Sequence, residues 1–233
     1  MKTPKRIQPL IEDGIVDEVL RPLMSGKEAS VYVVRCGDEI RCAKVYKEAA
    51  QRSFKQAVLY QEGRKVRNSR RARAMEKGSK FGRKQQEDAW HNAEVDALYR
   101  LAKAGVRVPK PYGCFDGVLL MELVTDEEGG VAPRLNDVSM SAEQAIEDHA
   151  LVMHYVKLML VAGLVHGDLS EFNVLVDEYG PVIIDLPQAV DAAGNNNARS
   201  MLGRDINNMT EYYGQYAPEL LATRYADEMW ALS

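Results

Sequence analysis

Residues 164–176 read LVHGDLSEFNVLV, and residues 182–185 read VIID. The apolar runs at 174–176 and 182–184 predict a β-hairpin that follows a polar loop. Four residues separate Asp168 from Asn173, and Asp185 comes directly after the second run. Phosphoryl transfer to a hydroxyl requires a base beside the acceptor and oxygen ligands for Mg²⁺. The spacing therefore predicts Asp168 as the catalytic base and Asn173 and Asp185 as metal ligands.

A lysine upstream completes this pattern. Residues 43–46 read AKVY and place Lys44 inside a predicted strand, which is typical of the lysine that contacts nucleotide phosphates. Glu94 is four residues from both Trp90 and Leu98, so one helical stripe carries all three. A carboxylate that faces the core needs a cation. We expect Lys44 to be that cation.

The segment 25–30, SGKEAS, lies between two predicted strands ahead of Lys44. It matches neither the G-x-G-x-x-G loop of protein kinases nor a Walker A motif. Hydroxyl and backbone N–H groups in such a turn can still bind phosphate oxygens. The residues predicted to contact phosphate are Ser25, Gly26, Lys27 and Ser30.

The order of the predicted elements indicates an α+β protein, with a sheet-rich N-terminal lobe (1–124) and a compact helical C-terminal lobe (125–233) in one domain of 1–233. Strands are predicted at 17–24, 31–36, 40–46 and 118–124, and helices at 86–104 and 142–162. Pro109, Pro111 and Gly113 predict a turn region. From Ala198 onward we expect two helices, separated near Gly214 and Pro218.

Charge is distributed unevenly along the chain. Residues 52–84 contain twelve Lys or Arg and two acidic residues, whereas the whole chain carries −4. The basic loop, 51–85, is therefore either a solvated surface or a surface that faces an anion. The three cysteines form no C-x-x-C pair, and no apolar run suits a signal peptide or a membrane span. We expect a cytoplasmic protein without membrane contact.

The sequence resembles the RIO family of atypical kinases over nearly its whole length. Four segments carry the resemblance: SGKEASVY (25–32), AKVY (43–46), HGDLSEFN (166–173) and IIDLPQ (183–188). Glycine at 167 and proline at 187 depart from the commoner family pattern. These departures are typical of a bacterial-type member.

The resemblance implies a two-lobed fold and an ATP- and Mg²⁺-dependent serine/threonine kinase, with Mn²⁺ as an alternative metal. It implies autophosphorylation, ATPase turnover through a phosphorylated Asp185, or both. It also implies that Lys44 contacts ATP, that Met121 is the gatekeeper, and that Glu122 and Val124 hold adenine through backbone groups. The basic loop corresponds to the family's flexible loop before helix C.

Two other functions remain open at this point. Small-molecule kinases of the aminoglycoside and choline phosphotransferase type also carry H-G-D-x-x-x-x-N. The twelve cations of the basic loop could instead bind RNA or a ribosomal subunit, and that binding would weaken as salt rises. The substrate, whether another protein or the chain itself, cannot be read from these motifs.

Overall fold

The computed structural model describes residues 3–26, 29–47 and 93–231, and these form two compact units. Unit 1 contains the described residues 3–26, 29–47, 93–96 and 110–123. Unit 2 contains residues 97–109 and 124–231. Strands dominate unit 1 and helices dominate unit 2, so the predicted α+β class is confirmed. The assignment of 1–233 to one domain with lobes 1–124 and 125–233 stays a prediction.

Unit 1 is built on a five-stranded antiparallel sheet with the order β1-β2-β3-β5-β4. The strands are β1 (Glu18–Ser25), β2 (Ala29–Cys36), β3 (Glu39–Tyr46), β4 (Pro111–Phe115) and β5 (Val118–Glu122). A two-residue turn joins β2 to β3, and Gly37 in it has φ +63°. Such hairpin turns require positive φ. The three strands predicted between residues 17 and 46 are confirmed.

The turn predicted around Pro111 and Gly113 is wrong, because this region forms the edge strand β4. Proline is tolerated at the first position of an edge strand, where its missing N–H removes no ladder bond. The register shifts between Pro111 and Gly113, and Gly113 has φ +155°. A Cβ on Gly113 would lie 2.7 Å from the Phe115 ring. The strand predicted at 118–124 is also shorter, since β5 ends at Glu122.

A short N-terminal helix, α1 (Gln8–Glu12), was not predicted from the sequence. Ile7 and Leu10 are buried with Val16 against the sheet residues Val34 and Leu120. Five helical residues carry too little periodicity to be recognised, so only the packing reveals why this segment is ordered. The start of the chain therefore supplies part of the core of unit 1.

Ile7→Ala should destabilise the protein by about 2–4 kcal/mol, because it leaves a cavity where a fully buried side chain stood. Urea unfolding measures the change. Ile40→Ala is the matched control, since Ile40 is 44% exposed in the same unit. An equal effect of the two substitutions would contradict the packing of α1 against the sheet.

Unit 2 contains the C-terminal half of α2 (residues 93–103), whose first four residues belong to unit 1. The other helices are α3 (Ala142–Val161), α4 (Ala198–Gly214) and α5 (Tyr225–Trp230). Two short antiparallel strand pairs complete the unit: β6 (Leu164–Val165) with β9 (Val190–Asp191), and the hairpin of β7 (Val174–Asp177) with β8 (Gly180–Ile183). The predicted hairpin at 174–184 is thereby confirmed.

Helix α3 begins where Ser141 accepts a hydrogen bond from the Gln144 amide and ends just before Gly163, which has φ +77°. This matches the predicted helix at 142–162. Buried contacts join α3 to α4, where a His149 ring nitrogen lies 3.0 Å from the Thr210 hydroxyl. Burial lowers the pKa of His149, which favours its neutral form.

The remaining predictions divide between described and undescribed residues. Residues 93–103 of the helix predicted at 86–104 are helical, and residues 86–92 lie outside the described ranges, as does the basic loop. The predicted break near Gly214 and Pro218 is present, with a 3₁₀ turn (Pro218–Ala222) before α5. None of the helices in the described ranges combines the length and the hydropathy that a membrane crossing requires.

Candidate active site

The loop between β6 and β7 carries Asp168 and Asn173 in unit 2. Gly167 and Leu169 are buried, whereas the Asp168 side chain between them is exposed. The Asn173 side-chain amide donates to the Asp168 backbone carbonyl at 2.7 Å. This bond orients Asn173 and leaves its side-chain oxygen as the donor atom for a cation. The two residues predicted from their spacing are therefore neighbours in space.

Asp185 is brought to the same loop through the residue before it. The Ile184 amide donates to the Asn173 carbonyl at 3.0 Å, and the His166 Nε2 lies 3.0 Å from the Ile184 carbonyl. Asp185 itself has φ +63°, a region that non-glycine residues seldom occupy and that costs of the order of 1 kcal/mol or more. The loop thus fixes the backbone that presents the exposed Asp185 carboxylate.

Helix α4 holds this loop by its backbone through Asp205, which is 1% exposed. The two carboxylate oxygens of Asp205 accept the Gly167 amide at 2.7 Å and the Leu169 amide at 3.0 Å. The Arg204 guanidinium donates to the Gly167 carbonyl at 2.5 Å, and the Asn208 side chain donates to the Leu169 carbonyl at 2.9 Å. The residues on both sides of Asp168 are therefore bonded to α4 by both amide and carbonyl.

Electrostatics at the loop follow from this packing. Although Asp168 is exposed at the surface, desolvation by the surrounding loop raises its pKa, and the nearby Asp185 carboxylate adds to the rise, whereas the His166 ring and the Arg204 guanidinium oppose it. Burial also raises the pKa of Asp205, against the two amide bonds that favour its ionised form. A base needs a pKa close to the working pH, so the direction of the Asp168 shift suits proton acceptance.

In unit 1, the predicted ion pair between Lys44 and Glu94 is present. The Lys44 Nζ lies 2.5 Å from Glu94 Oε1, and the two side chains are 12% and 6% exposed. A second partner was not foreseen, since the Tyr46 hydroxyl donates to Glu94 Oε2 at 2.6 Å. Two donors compensate the buried carboxylate, which would be costly without them.

The predicted phosphate-contacting segment runs from the last residue of β1 into the start of β2 in unit 1. The Ser25 and Ser30 hydroxyls lie 3.1 Å apart, and the Gly26 amide donates to the Ala29 carbonyl at 2.9 Å. The Lys47 ammonium donates to the Gly26 carbonyl at 2.5 Å. Lys27 lies outside the described residues. Phosphate binding by Ser25, Gly26, Lys27 and Ser30 stays a prediction.

The three residues expected around adenine are each partly engaged. Met121 on β5 pairs with Cys42 on β3. The Glu122 amide donates to the Lys110 carbonyl at 2.8 Å, and the Val124 carbonyl accepts the Ala132 amide at 3.0 Å. Those two backbone groups already have protein partners. The roles of Met121, Glu122 and Val124 toward a nucleotide stay predictions.

The side-chain oxygens near Asp168 suit Mg²⁺ better than they suit a metal ion whose ligands all come from the protein. Among the described residues, no group of three or more His, Cys, Asp or Glu side chains is placed to hold a metal ion. Mg²⁺ usually takes one or two protein oxygens and completes its octahedron with water and phosphate oxygens. The Asp185 carboxylate and the Asn173 side-chain oxygen are of this chemical type, and their role as metal ligands stays a prediction.

Comparison with known proteins decides the family. The family model of the RIO domain matches residues 30–226. The chain belongs to the RIO family. It is 36% identical over 210 residues to the RIO-type serine/threonine-protein kinase Rio1 of Haloferax volcanii, which covers 89% of this chain and 67% of that protein.

Two further relatives of this RIO chain are longer. It is 31% identical to the serine/threonine-protein kinase RIO1 of Chaetomium thermophilum over 229 residues, or 92% of the chain and 43% of the relative. It is 29% identical to the human serine/threonine-protein kinase RIO1 over 217 residues, or 92% of the chain and 36% of the relative. The chain thus spans less than half the length of these two proteins. Its match to the RIO domain confirms the family that its motifs predicted.

Asp205 is the main residue of the RIO site that the sequence analysis missed. A signal was present, because Asp205 lies four residues after Met201 and four before Met209, and both methionines are buried. An acidic side chain within an apolar helical stripe must face a partner in the core, as was argued for Glu94. The partners are backbone amides, which no side-chain motif identifies.

Asp205→Ala should destabilise the RIO domain by about 2–4 kcal/mol, because two buried amides lose their acceptor. It should also lower the rate of phosphoryl transfer at least about tenfold, because the backbone around Asp168 is released. Urea unfolding and transfer of labelled phosphate from ATP measure the two effects. Glu211→Ala, an exposed acid on the same helix, is the control. Wild-type activity in Asp205→Ala would contradict the proposed anchoring.

Proposed function

We propose that this RIO domain transfers the γ-phosphoryl group of ATP to a serine or threonine hydroxyl, with Mg²⁺ as the metal and Mn²⁺ as an alternative. The acceptor is a residue of another protein or of the chain itself. The observation that carries the proposal is the set of hydrogen bonds that brings Asp168, Asn173 and Asp185 together. The Asn173 side chain donates to the Asp168 carbonyl. The Asn173 carbonyl accepts the Ile184 amide, and His166 Nε2 lies against the Ile184 carbonyl, directly before Asp185.

In this proposal Asp168 accepts the proton of the acceptor hydroxyl. Its side chain is exposed beside a buried and immobilised backbone, so an incoming hydroxyl can reach it. Positioning of this kind is the main contribution that a protein makes to phosphoryl transfer. The raised pKa of Asp168 makes its carboxylate a stronger acceptor for the proton that the attacking hydroxyl loses.

The other residues have electrostatic roles. Asn173 and Asp185 would hold Mg²⁺, which when bound neutralises charge on the phosphates. Lys44 would contact the α- and β-phosphates, and Glu94 orients its ammonium through the 2.5 Å ion pair. Because Tyr46 also bonds Glu94, the carboxylate keeps a donor when Lys44 turns toward a phosphate.

ATP hydrolysis through a phosphorylated Asp185 is a second outcome of the same site. The exposed carboxylate on its constrained backbone supports this reading, because an acceptor oxygen must be accessible to the γ-phosphorus. Membership in the RIO family favours both outcomes over a small-molecule phosphotransferase. RNA or ribosome binding by the basic loop and a cytoplasmic location stay predictions, which a salt-dependent RNA titration and fractionation would address.

Asp168→Asn should lower phosphoryl transfer to serine about 10²- to 10⁴-fold, because the acceptor hydroxyl loses its base. ATP binding should persist, since Asp168 is not proposed to contact the nucleotide. Labelled ATP measures autophosphorylation and hydrolysis, and calorimetry measures binding. Asp137→Asn serves as the control, because Asp137 is exposed in the 3₁₀ turn Leu135–Asp137. Full transfer by Asp168→Asn would end the assignment of the base.

Lys44→Met should lose most Mg-ATP binding, and Asp185→Asn should raise the Mg²⁺ concentration needed for half-maximal activity. The Lys44→Met/Glu94→Gln double variant separates two causes of the first effect. If Lys44 only compensates the buried Glu94 charge, the double variant should regain binding, because no unpaired charge remains. If Lys44 contacts phosphate, the double variant should remain defective, and this is the outcome we expect.

A further inference from the structure

Arg204 combines a fixed position beside the catalytic loop with an exposed side chain. Its Nη2 donates to the Gly167 carbonyl at 2.5 Å, one residue before Asp168. The positive charge of Arg204 also acts on the Asp168 carboxylate, because it lowers the pKa of Asp168, which desolvation raises. A single guanidinium is therefore anchored next to the residue proposed to meet the acceptor hydroxyl.

Most of the hydrogen-bonding capacity of this guanidinium is not used by the protein. Arginine has five N–H donors in a planar fork that matches a carboxylate or a phosphate. In the described ranges, the ion pairs involve Arg35, Arg41, Lys44 and Arg107, and Arg204 forms none.

The acidic residue next to Arg204 on helix α4 is Asp205. Both carboxylate oxygens of Asp205 accept loop amides, at 2.7 Å from Gly167 and at 3.0 Å from Leu169, so this acid is already engaged and does not fill the guanidinium fork.

On the basis of the proposed kinase function, we propose that Arg204 is a specificity-determining residue that binds an anionic group of the acceptor segment close to the target serine. The anion is a carboxylate or a phosphate, because both match the guanidinium fork. The bond to Gly167 holds the arginine in place before the acceptor arrives, so less side-chain freedom is lost on binding. The domain should therefore prefer serines with acidic neighbours.

The test uses three synthetic peptides that each contain one free serine, flanked on both sides by glutamates, by alanines or by phosphoserines. The measured quantity is the ratio of kcat/KM for each anionic peptide to kcat/KM for the alanine peptide. For the wild type we expect a ratio of about ten or more, as for a charge-assisted hydrogen bond. Arg204→Met should bring the ratio close to one, and Arg204→Lys should give an intermediate ratio.

The ratio separates recognition from damage to the loop, because a distorted loop lowers kcat/KM for all peptides alike. Arg224→Met is the matched control, an exposed arginine in the same unit, and it should keep the wild-type ratio. A preference for glutamate alone or for phosphoserine alone identifies the source of the anion. A wild-type ratio near one, or an unchanged ratio in Arg204→Met, overturns the inference.

Failure of the inference differs from failure of the proposed function. A wild type that autophosphorylates or phosphorylates the alanine peptide without anionic preference keeps the function and rejects the role of Arg204. A wild type that autophosphorylates but accepts none of the peptides likewise rejects it. Transfer to no acceptor, together with no ATP hydrolysis, rejects the proposed function as well.

Discussion

The site in unit 2 depends on one buried carboxylate that binds main chain. Asp205 accepts the amides of Gly167 and Leu169, so the residue between them, Asp168, is presented on a backbone that cannot easily move. Arg204 and Asn208 of the same helix donate hydrogen bonds to the carbonyls of Gly167 and Leu169. A loop normally leaves such groups to water, and here a helix supplies the partners that allow the loop to be buried around an exposed acid.

Further hydrogen bonds connect this anchored loop to the second acidic residue, Asp185. Asn173 closes the loop on the Asp168 carbonyl, and its own carbonyl receives the amide of Ile184. His166 lies against the carbonyl of Ile184, so the following Asp185 is held in a left-handed conformation that its own sequence does not favour. Local strain at the predicted metal ligand is thus maintained by hydrogen bonds that begin at helix α4.

Unit 1 also contains a buried carboxylate that is compensated by hydrogen-bond donors, and here both donors are side chains. Glu94 is buried, and Lys44 and Tyr46 from one strand both compensate its charge. If one of these two donors is lost, the other still bonds the Glu94 carboxylate, which therefore keeps a partner when Lys44 makes its proposed contact with phosphate. This pair is predictable because Glu94 is a charged residue within an apolar helical stripe, and the same rule applied to helix α4 predicts a buried partner for Asp205.

By itself the sequence determined the α+β class, the strands before residue 47, the long helix near 142–162, the 174–184 hairpin and the Lys44–Glu94 pair. These features follow from periodicity, from turn residues and from charges that cannot be buried alone. Strand β4, helix α1 and the hold of α4 on the loop were decided only by tertiary structure. The physical reason is that each depends on partners distant in sequence: a neighbouring strand for Pro111, a sheet for Ile7, and main-chain amides for Asp205.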